Sequence, residues 1–351
     1  MRKSKLVCIA FAFMTVLAIS CKRTPKEYIY DAYVVGSEVD GSFGRSMLWV
    51  NGTPTKILDK NSVASSVCLS GKDLYISGYQ YRNEHLIATL WKNGEREVLN
   101  SSGNNSLASS IFVSGKDVYV AGGIRQRDTK KWTAALWKNG TPQVLSDNQS
   151  DARSVFVSGN NVYVGGEEFD DGTGKKYPKV WLNGKATKME NKKGFAGVNG
   201  IYVVGDDLYA VGQERTDGPV FIAMLWKNGK AEKITNATSS AKASAVFVSG
   251  DDIYVAGYKE RGEDKVAVLW TKKGASGKWE TKELSRGAKS NEAHSLFVID
   301  NNIYVVGQEG KFAMLWTKKA GSNSWEAKEL TKGITEAFAL SVYVVKRAKK
   351  S

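Results

Sequence analysis

A tryptophan recurs along this chain at a nearly constant interval of 42 to 46 residues. A tyrosine recurs in phase with it, and each of these tyrosines is followed three positions later by a glycine. The seven copies are marked by Trp49, Trp91, Trp137, Trp181, Trp226, Trp270 and Trp316, and by Tyr33, Tyr75, Tyr119, Tyr163, Tyr209, Tyr254 and Tyr304. Repeats of roughly 20–50 residues are typical of proteins in which neighbouring copies bury each other's apolar faces. The repeat therefore constrains the fold more than length does.

Each copy has the pattern of four short β-strands. In residues 245–259, "AVFVSGDDIYVAGYK", two runs rich in β-branched and aromatic residues flank a turn, which is typical of a hairpin. A third apolar run ends at the tryptophan. In most copies Asn-Gly follows the third run, and this dipeptide favours a type I′ turn into a short fourth strand. Four antiparallel strands in about 45 residues match one propeller blade.

The two ends of the chain complement each other. The first copy lacks its first strand, whereas residues 341–345 resemble a first strand with nothing after it. Pairing this segment with residues 30–36 would complete a blade and remove an open sheet edge. The sequence therefore predicts an all-β fold, a seven-bladed β-propeller of four-stranded antiparallel blades closed by its C-terminal strand. We expect one domain over residues 28–346 and a basic tail over 347–351.

The N-terminus has the pattern of an export signal. Arg2, Lys3 and Lys5 precede an uncharged apolar run over residues 6–19, which is shorter than the roughly 20 residues that span a membrane. Cys21 directly follows "LAIS", which resembles a bacterial lipobox whose cysteine is lipidated. We expect a signal over residues 1–20, a lipidated tether over 21–27, and a lipid anchor in the bacterial cell envelope. The alternative is an ordinary signal peptide with an incidental cysteine.

The repeats, with units such as "SVFVSG", "DVYVAG" and "LWKNG", resemble uncharacterised bacterial propeller lipoproteins over essentially the whole mature chain. The resemblance implies a propeller fold and an exported location, and it brings no known activity. By resemblance to lipoprotein sorting rules, Lys22 after the cysteine favours the outer membrane or the cell surface over the inner membrane.

Charge and cysteine content exclude several classes of function. The formal net charge is +14, and removal of residues 1–20 would leave +11, but the basic residues are dispersed. An exported chain without a dense basic cluster is not expected to bind nucleic acid. Cys68 alone would remain as a free thiol, so no internal disulfide framework forms. No common catalytic or metal motif occurs, so we expect no cofactor and no metal. We also expect the protein to be a monomer.

The loops opposite the tight hairpins vary most among the seven copies. They are predicted to ring a central funnel, where propellers commonly bind ligands. The candidate ligand-binding residues are Arg153, Asn199, His294, Glu168, Glu214, Glu309, Tyr79 and Tyr258. They predict a polar pocket for a glycan, peptide or protein. One alternative is a carbohydrate-active enzyme using paired carboxylates of the glutamate ring. Another is that these are ordinary solvated loop residues.

Overall fold

The computed structural model describes residues 27–40, 43–99, 105–187, 189–191, 194–274, 276–287 and 290–349. Every regular element in these ranges is a β-strand, and the strands form seven four-stranded antiparallel sheets. The predicted seven-bladed β-propeller is therefore confirmed. The predicted signal, Cys21 and the predicted tether up to residue 26 lie outside the described residues.

The first four blades follow the chain from its N-terminal side. Blade 1 contains β1 (Tyr28–Asp40), β2 (Phe43–Val50) and β3 (Thr53–Lys60). Blade 2 contains β4 (Ser62–Ser70), β5 (Asp73–Arg82), β6 (His85–Lys92) and β7 (Glu95–Val98). Blade 3 contains β8 (Ser106–Ser114), β9 (Asp117–Arg125), β10 (Trp132–Lys138) and β11 (Thr141–Val144). Blade 4 contains β12 (Ser150–Ser158), β13 (Asn161–Asp170), β14 (Lys175–Leu182) and β15 (Lys185–Thr187).

The remaining blades repeat the same order. Blade 5 contains β16 (Ala196–Val204), β17 (Asp207–Arg215), β18 (Phe221–Lys227) and β19 (Lys230–Lys233). Blade 6 contains β20 (Ala241–Ser249), β21 (Asp252–Arg261), β22 (Asp264–Lys272) and β23 (Trp279–Glu283). Blade 7 contains β24 (Asn291–Ile299), β25 (Asn302–Glu309), β26 (Phe312–Lys318) and β27 (Glu326–Glu329). The last strand, β28 (Ala337–Ala348), joins blade 1.

The C-terminal strand closes the propeller, as the sequence of the two chain ends predicted. β28 pairs with β1, with Tyr343 opposite Tyr33 and Val342 opposite Val34. The strand continues to Ala348, so the predicted domain end at residue 346 falls two residues short. Arg347 was expected in a basic tail, but it is paired in the strand and forms an ion pair with Asp31.

The recurring tryptophans are core residues. Each is at most 1% exposed. Trp270 of blade 6, for example, packs with Val211 and Leu225 of blade 5. A large ring therefore fills the space between neighbouring blades, and its burial removes apolar area from water at every blade junction.

The Asn-Gly turns adopt the predicted conformation and also form side-chain bonds. Asn139 and Gly140 both have positive φ, 51° and 79°, as a type I′ turn requires. Asn139 donates a hydrogen bond to Asp117 at 2.8 Å and accepts one from the backbone N–H of Val118 at 2.8 Å. This side chain therefore ties the outer hairpin of blade 3 to its inner hairpin.

Candidate functional site

The inner strand of each blade carries a β-bulge near its N-terminal end, away from the tight hairpin. In blade 4, Ala152 pairs with Gly166 and Ser154 pairs with Gly165. Arg153 is therefore an extra residue that is not paired with a residue of the neighbouring strand. A bulge re-aims the side chain of its extra residue. The same register shift occurs in all seven blades and leaves Ser65, Ser109, Arg153, Asn199, Ser244, His294 and Leu340 as the extra residues.

The glycine that follows each recurring tyrosine exists because of this bulge. A Cβ atom built on Gly166 would lie 1.8 Å from the carbonyl oxygen of Asp151, and the corresponding distance at Gly212 is also 1.8 Å. Atoms cannot approach this closely, so only glycine lets the second strand lie against the bulged one.

The seven extra residues meet in one cavity. A funnel of about 540 Å³ is lined by all seven, together with Gln213, Lys242 and Glu292. These seven positions of the repeats therefore surround the central depression. Three of the candidate residues, Arg153, Asn199 and His294, are among this lining.

The funnel continues into a narrower channel of about 300 Å³ between the inner strands. Six aromatic rings follow one another around this channel with centroids 4.6 to 5.2 Å apart. Cys68 also lines the channel and occupies the repeat position equivalent to these rings, and burial raises the pKa of its thiol. A buried thiol of raised pKa is a packing group rather than a nucleophile. The six aromatic residues are Phe112, Phe156, Tyr202, Phe247, Phe297 and Tyr343.

Arg153 is the centre of a charged network on one side of the funnel. Its guanidinium contacts Asp151 at 2.8 Å and Glu167 at 2.9 Å, and it donates to Asn199 at 2.9 Å. Burial alone would lower the pKa of Arg153, but the two carboxylates outweigh burial and raise it. Asn199 in turn donates to Gln213 at 2.7 Å. The network holds an ionised guanidinium and an oriented amide at the funnel wall.

A second network surrounds His294. Glu292 accepts a hydrogen bond from Lys242 at 3.0 Å and lies 3.7 Å from Nδ1 of His294. Burial lowers the pKa of His294 despite the opposing charge of Glu292, so the imidazole is neutral near pH 7. Its Nε2 atom is buried and has no hydrogen-bond partner among the described residues. A residue that lines the funnel therefore keeps an unused hydrogen-bonding position within the described part of the chain.

The three candidate glutamates do not line the funnel. Glu168 pairs with Lys179 at 2.9 Å and accepts a hydrogen bond from Ser146 at 2.6 Å. Glu309 accepts one from the backbone of Arg286 at 2.9 Å, and Glu214 is only 6% exposed. Side chains alternate between the two faces of a strand. These glutamates, two residues after the glycine, therefore face the side of the blade opposite to that of the residue directly after the glycine.

The strand position that contributes to the site lies one residue earlier, directly after the glycine. Glu167 and Gln213 occupy this position and join the network around Arg153. Tyr79 and Tyr258 share the phase, but neither lines the funnel. Tyr258 lies opposite Lys242 in the register, and burial raises its pKa to about 12.

Charged residues two positions before the extra residue of the bulge also contribute to the site and were not predicted. Asp151 pairs with Arg153, while Lys242 and Glu292 line the funnel. The alternation of side chains along a strand could have identified these residues, because a residue two positions from the extra residue lies on the same face of the strand.

The described ranges contain no group of three or more His, Cys, Asp or Glu residues placed to hold a metal ion. They also contain no helix with the length and apolar character needed to cross a membrane.

Comparison with known proteins supports the fold alone. Neither a family model nor a curated protein sequence matches the chain. The β-propeller domain of the Trilobed protease from Pyrococcus furiosus is similar, with a TM-score of 0.51 and 13% identity, covering 88% of this chain and 93% of that one. Pyrococcus horikoshii acylaminoacyl peptidase has a TM-score of 0.52 and 13% identity, covering 86% of this chain and 50% of that one.

A Mycobacterium tuberculosis puromycin-hydrolyzing peptidase has a TM-score of 0.50 and 10% identity, covering 75% of this chain. This chain spans about half the length of the two full peptidases, 46% and 50%. At such low identity the similarity shows that the chain is a β-propeller and carries no activity over to it.

Proposed function

We propose that this protein is a binding module that takes a glycan, peptide or protein segment at the funnel. The observation that carries the proposal is the convergence of seven bulge residues on one cavity, one of which, His294, has a buried Nε2 atom without a partner among the described residues. Leaving a buried polar atom unpaired costs about 1–3 kcal/mol. A ligand that bonded to this nitrogen would recover that cost, which supports a polar ligand.

The alternative of a carbohydrate-active enzyme gains no support from the geometry. Glycoside cleavage needs a carboxylic acid of raised pKa near a second carboxylate. Glu292 faces the funnel. Burial alone would raise its pKa, but the positive charges of the protonated form of His294 and of Lys242 outweigh burial and lower it. Glu167 is held by Arg153 and Lys176, both at 2.9 Å. Glu292, whose pKa is lowered, is not suited to act as a general acid near neutral pH.

Glycan and peptide arrays probed with the purified full chain in detergent test this function. We expect binding to a defined subset of probes, with His294→Ala and Arg153→Gln each weakening that binding. Glu309→Gln is the matched control, because Glu309 lies outside the funnel. Binding that is the same in all three variants would contradict a funnel site. Release of cleaved glycan, detected by chromatography, would favour the enzyme instead.

We also propose that Cys21 carries a lipid that holds the protein on the bacterial envelope, with the outer membrane or cell surface favoured over the inner membrane. The support is the resemblance of the N-terminal sequence to a lipobox. Cys21→Ala should move the protein from the detergent phase to the soluble fraction and abolish labelling by a radioactive fatty acid. Cys68→Ala is the control and should do neither.

A further inference from the structure

Another cavity, of about 290 Å³, lies beside the funnel, between blades 3 and 4. Its volume is near the lower end for small-molecule sites, roughly 300–1,000 Å³. Its walls combine two aromatic side chains, Trp132 and Phe169, with the polar side chains of Gln149, Asp151, Glu167 and Lys176. We call this cavity the Trp132 groove. Half-buried aromatic rings beside polar groups form a surface that fits an amphipathic ligand.

Trp132 does not belong to the repeat. The seven recurring tryptophans are fully buried, but Trp132 starts a strand at the funnel end of blade 3 and is half-buried. It has room because the residue after the invariant Gly122 is Gly123. A Cβ atom on Gly123 would lie 3.1 Å from Cε3 of the indole ring. The other six blades carry larger side chains there, namely Ser37, Tyr79, Glu167, Gln213, Tyr258 and Gln308.

Charge selects the class of ligand. The groove contains the carboxylates of Asp151 and Glu167. Arg153 pairs with both, and Lys176 pairs with Glu167 at 2.9 Å. Two carboxylates are thus matched by two cations, and the pairing leaves no net charge for an ionic ligand to neutralise. The groove fits a neutral molecule with one apolar face and many hydroxyl groups, which is the chemistry of a sugar ring.

The Trp132 groove and the funnel share a wall. Arg153 lines the funnel, while its partners Asp151 and Glu167 line the groove. Gly197 permits this arrangement, because a Cβ atom there would lie 2.3 Å from an oxygen of Glu167. A chain of two or more sugar units could therefore pass from the funnel over Arg153 into the groove.

We propose that the Trp132 groove is a subsite for a neutral carbohydrate, in which a sugar ring stacks on Trp132 and its hydroxyls bond to Gln149 and the carboxylates. The proposal rests on the funnel being the principal binding site. It predicts that the ligand is an oligosaccharide and that Trp132 contributes only when the chain is long enough to reach it.

The test uses an array of neutral and acidic oligosaccharides of one to six units, probed with the full chain in detergent. We expect neutral oligosaccharides to bind. Trp132→Ala should weaken binding of the longer ones about tenfold and leave single sugars unchanged. Trp132→Tyr should retain most of the affinity because it keeps an aromatic face. Trp279→Ala, which removes another half-buried tryptophan in blade 6, is the matched control and should have no effect.

The outcomes separate this inference from the funnel itself. Neutral glycan binding that is lost in His294→Ala but unchanged in Trp132→Ala would overturn the subsite and keep the funnel. Binding only to acidic glycans, or only to peptides on a parallel array, would overturn the neutral carbohydrate and keep the funnel if His294→Ala abolished it. Equal thermal melting of Trp132→Ala and Trp279→Ala excludes misfolding as the cause of lost binding.

Discussion

Removal of the closing strand is the sharpest test of the architecture. A chain that ends at residue 336 lacks β28, so blade 1 keeps three strands and β1 becomes an open edge. The loss is not local, because Val342 and Val344 belong to a core cluster shared with blade 7. That cluster contains Tyr304 and Val306, which would be uncovered at the same time.

The magnitude follows from burial. Val342 and Val344 are 4% and 2% exposed, and burying such a side chain is worth about 1.5–3 kcal/mol. The two valines together contribute about 3–6 kcal/mol by that measure. Tyr343 adds a ring 5.0 Å from that of Phe297, and the truncation also breaks the pairing along β1. The total rivals the net stability of a typical domain, about 5–15 kcal/mol.

Thermal unfolding followed by circular dichroism measures the effect. We expect the chain ending at residue 336 to aggregate or to melt far below the intact protein. A chain ending at residue 348 is the control. It retains all of β28 and loses the ion pair of Lys349 with Glu27, which is exposed and worth about 0–1 kcal/mol. Equal melting temperatures for the two truncated chains would refute closure by the terminal strand.

Three further predictions concern the bulge, the inter-blade bonds and the buried imidazole. Gly212→Ala should destabilise the fold by about 1–3 kcal/mol or more, measured by urea unfolding, because the new methyl group overlaps a backbone carbonyl. Ser110→Ala should cost about 0.5–1.5 kcal/mol by losing a bond at 3.2 Å to the next blade, and Ala245→Ser at an equivalent position should gain a similar amount; no change in either would contradict this. Stability should fall as pH drops below 6.5, the ordinary pKa of histidine, because burial lowers the pKa of His294 and the unfolded chain then binds the proton more readily. Pulse proteolysis across pH should show a weaker dependence in His294→Asn but not in His85→Asn, which alters an exposed side chain.

The candidate site was only partly predictable, and the reason is phase. The variable position in the inner strand of each copy correctly identified Arg153, Asn199 and His294 as funnel residues. The predicted glutamates, two residues after the glycine, lie one residue beyond the position that contacts Arg153. The contact is made by Glu167 and not by Glu168. In a strand a shift of one residue moves a side chain to the other face.

The sequence by itself determined the number of blades, the strand order within them and the closure. Each of these depends on local patterns repeated seven times, such as β-branched runs, Asn-Gly turns and an unpaired strand at each end. Repetition makes weak local signals reliable, because neighbouring copies must pack in the same way.

Only the tertiary structure decided which side chains meet. The bulge that turns Arg153 into the funnel depends on the register between two strands, and the type of its extra residue differs from blade to blade. The partners of Arg153 include Asn199, which lies 46 positions away in the next blade. The Trp132 groove exists because Gly123 leaves space beneath an indole ring. Such contacts arise from the arrangement of strands and blades in space, which no single segment of the sequence encodes.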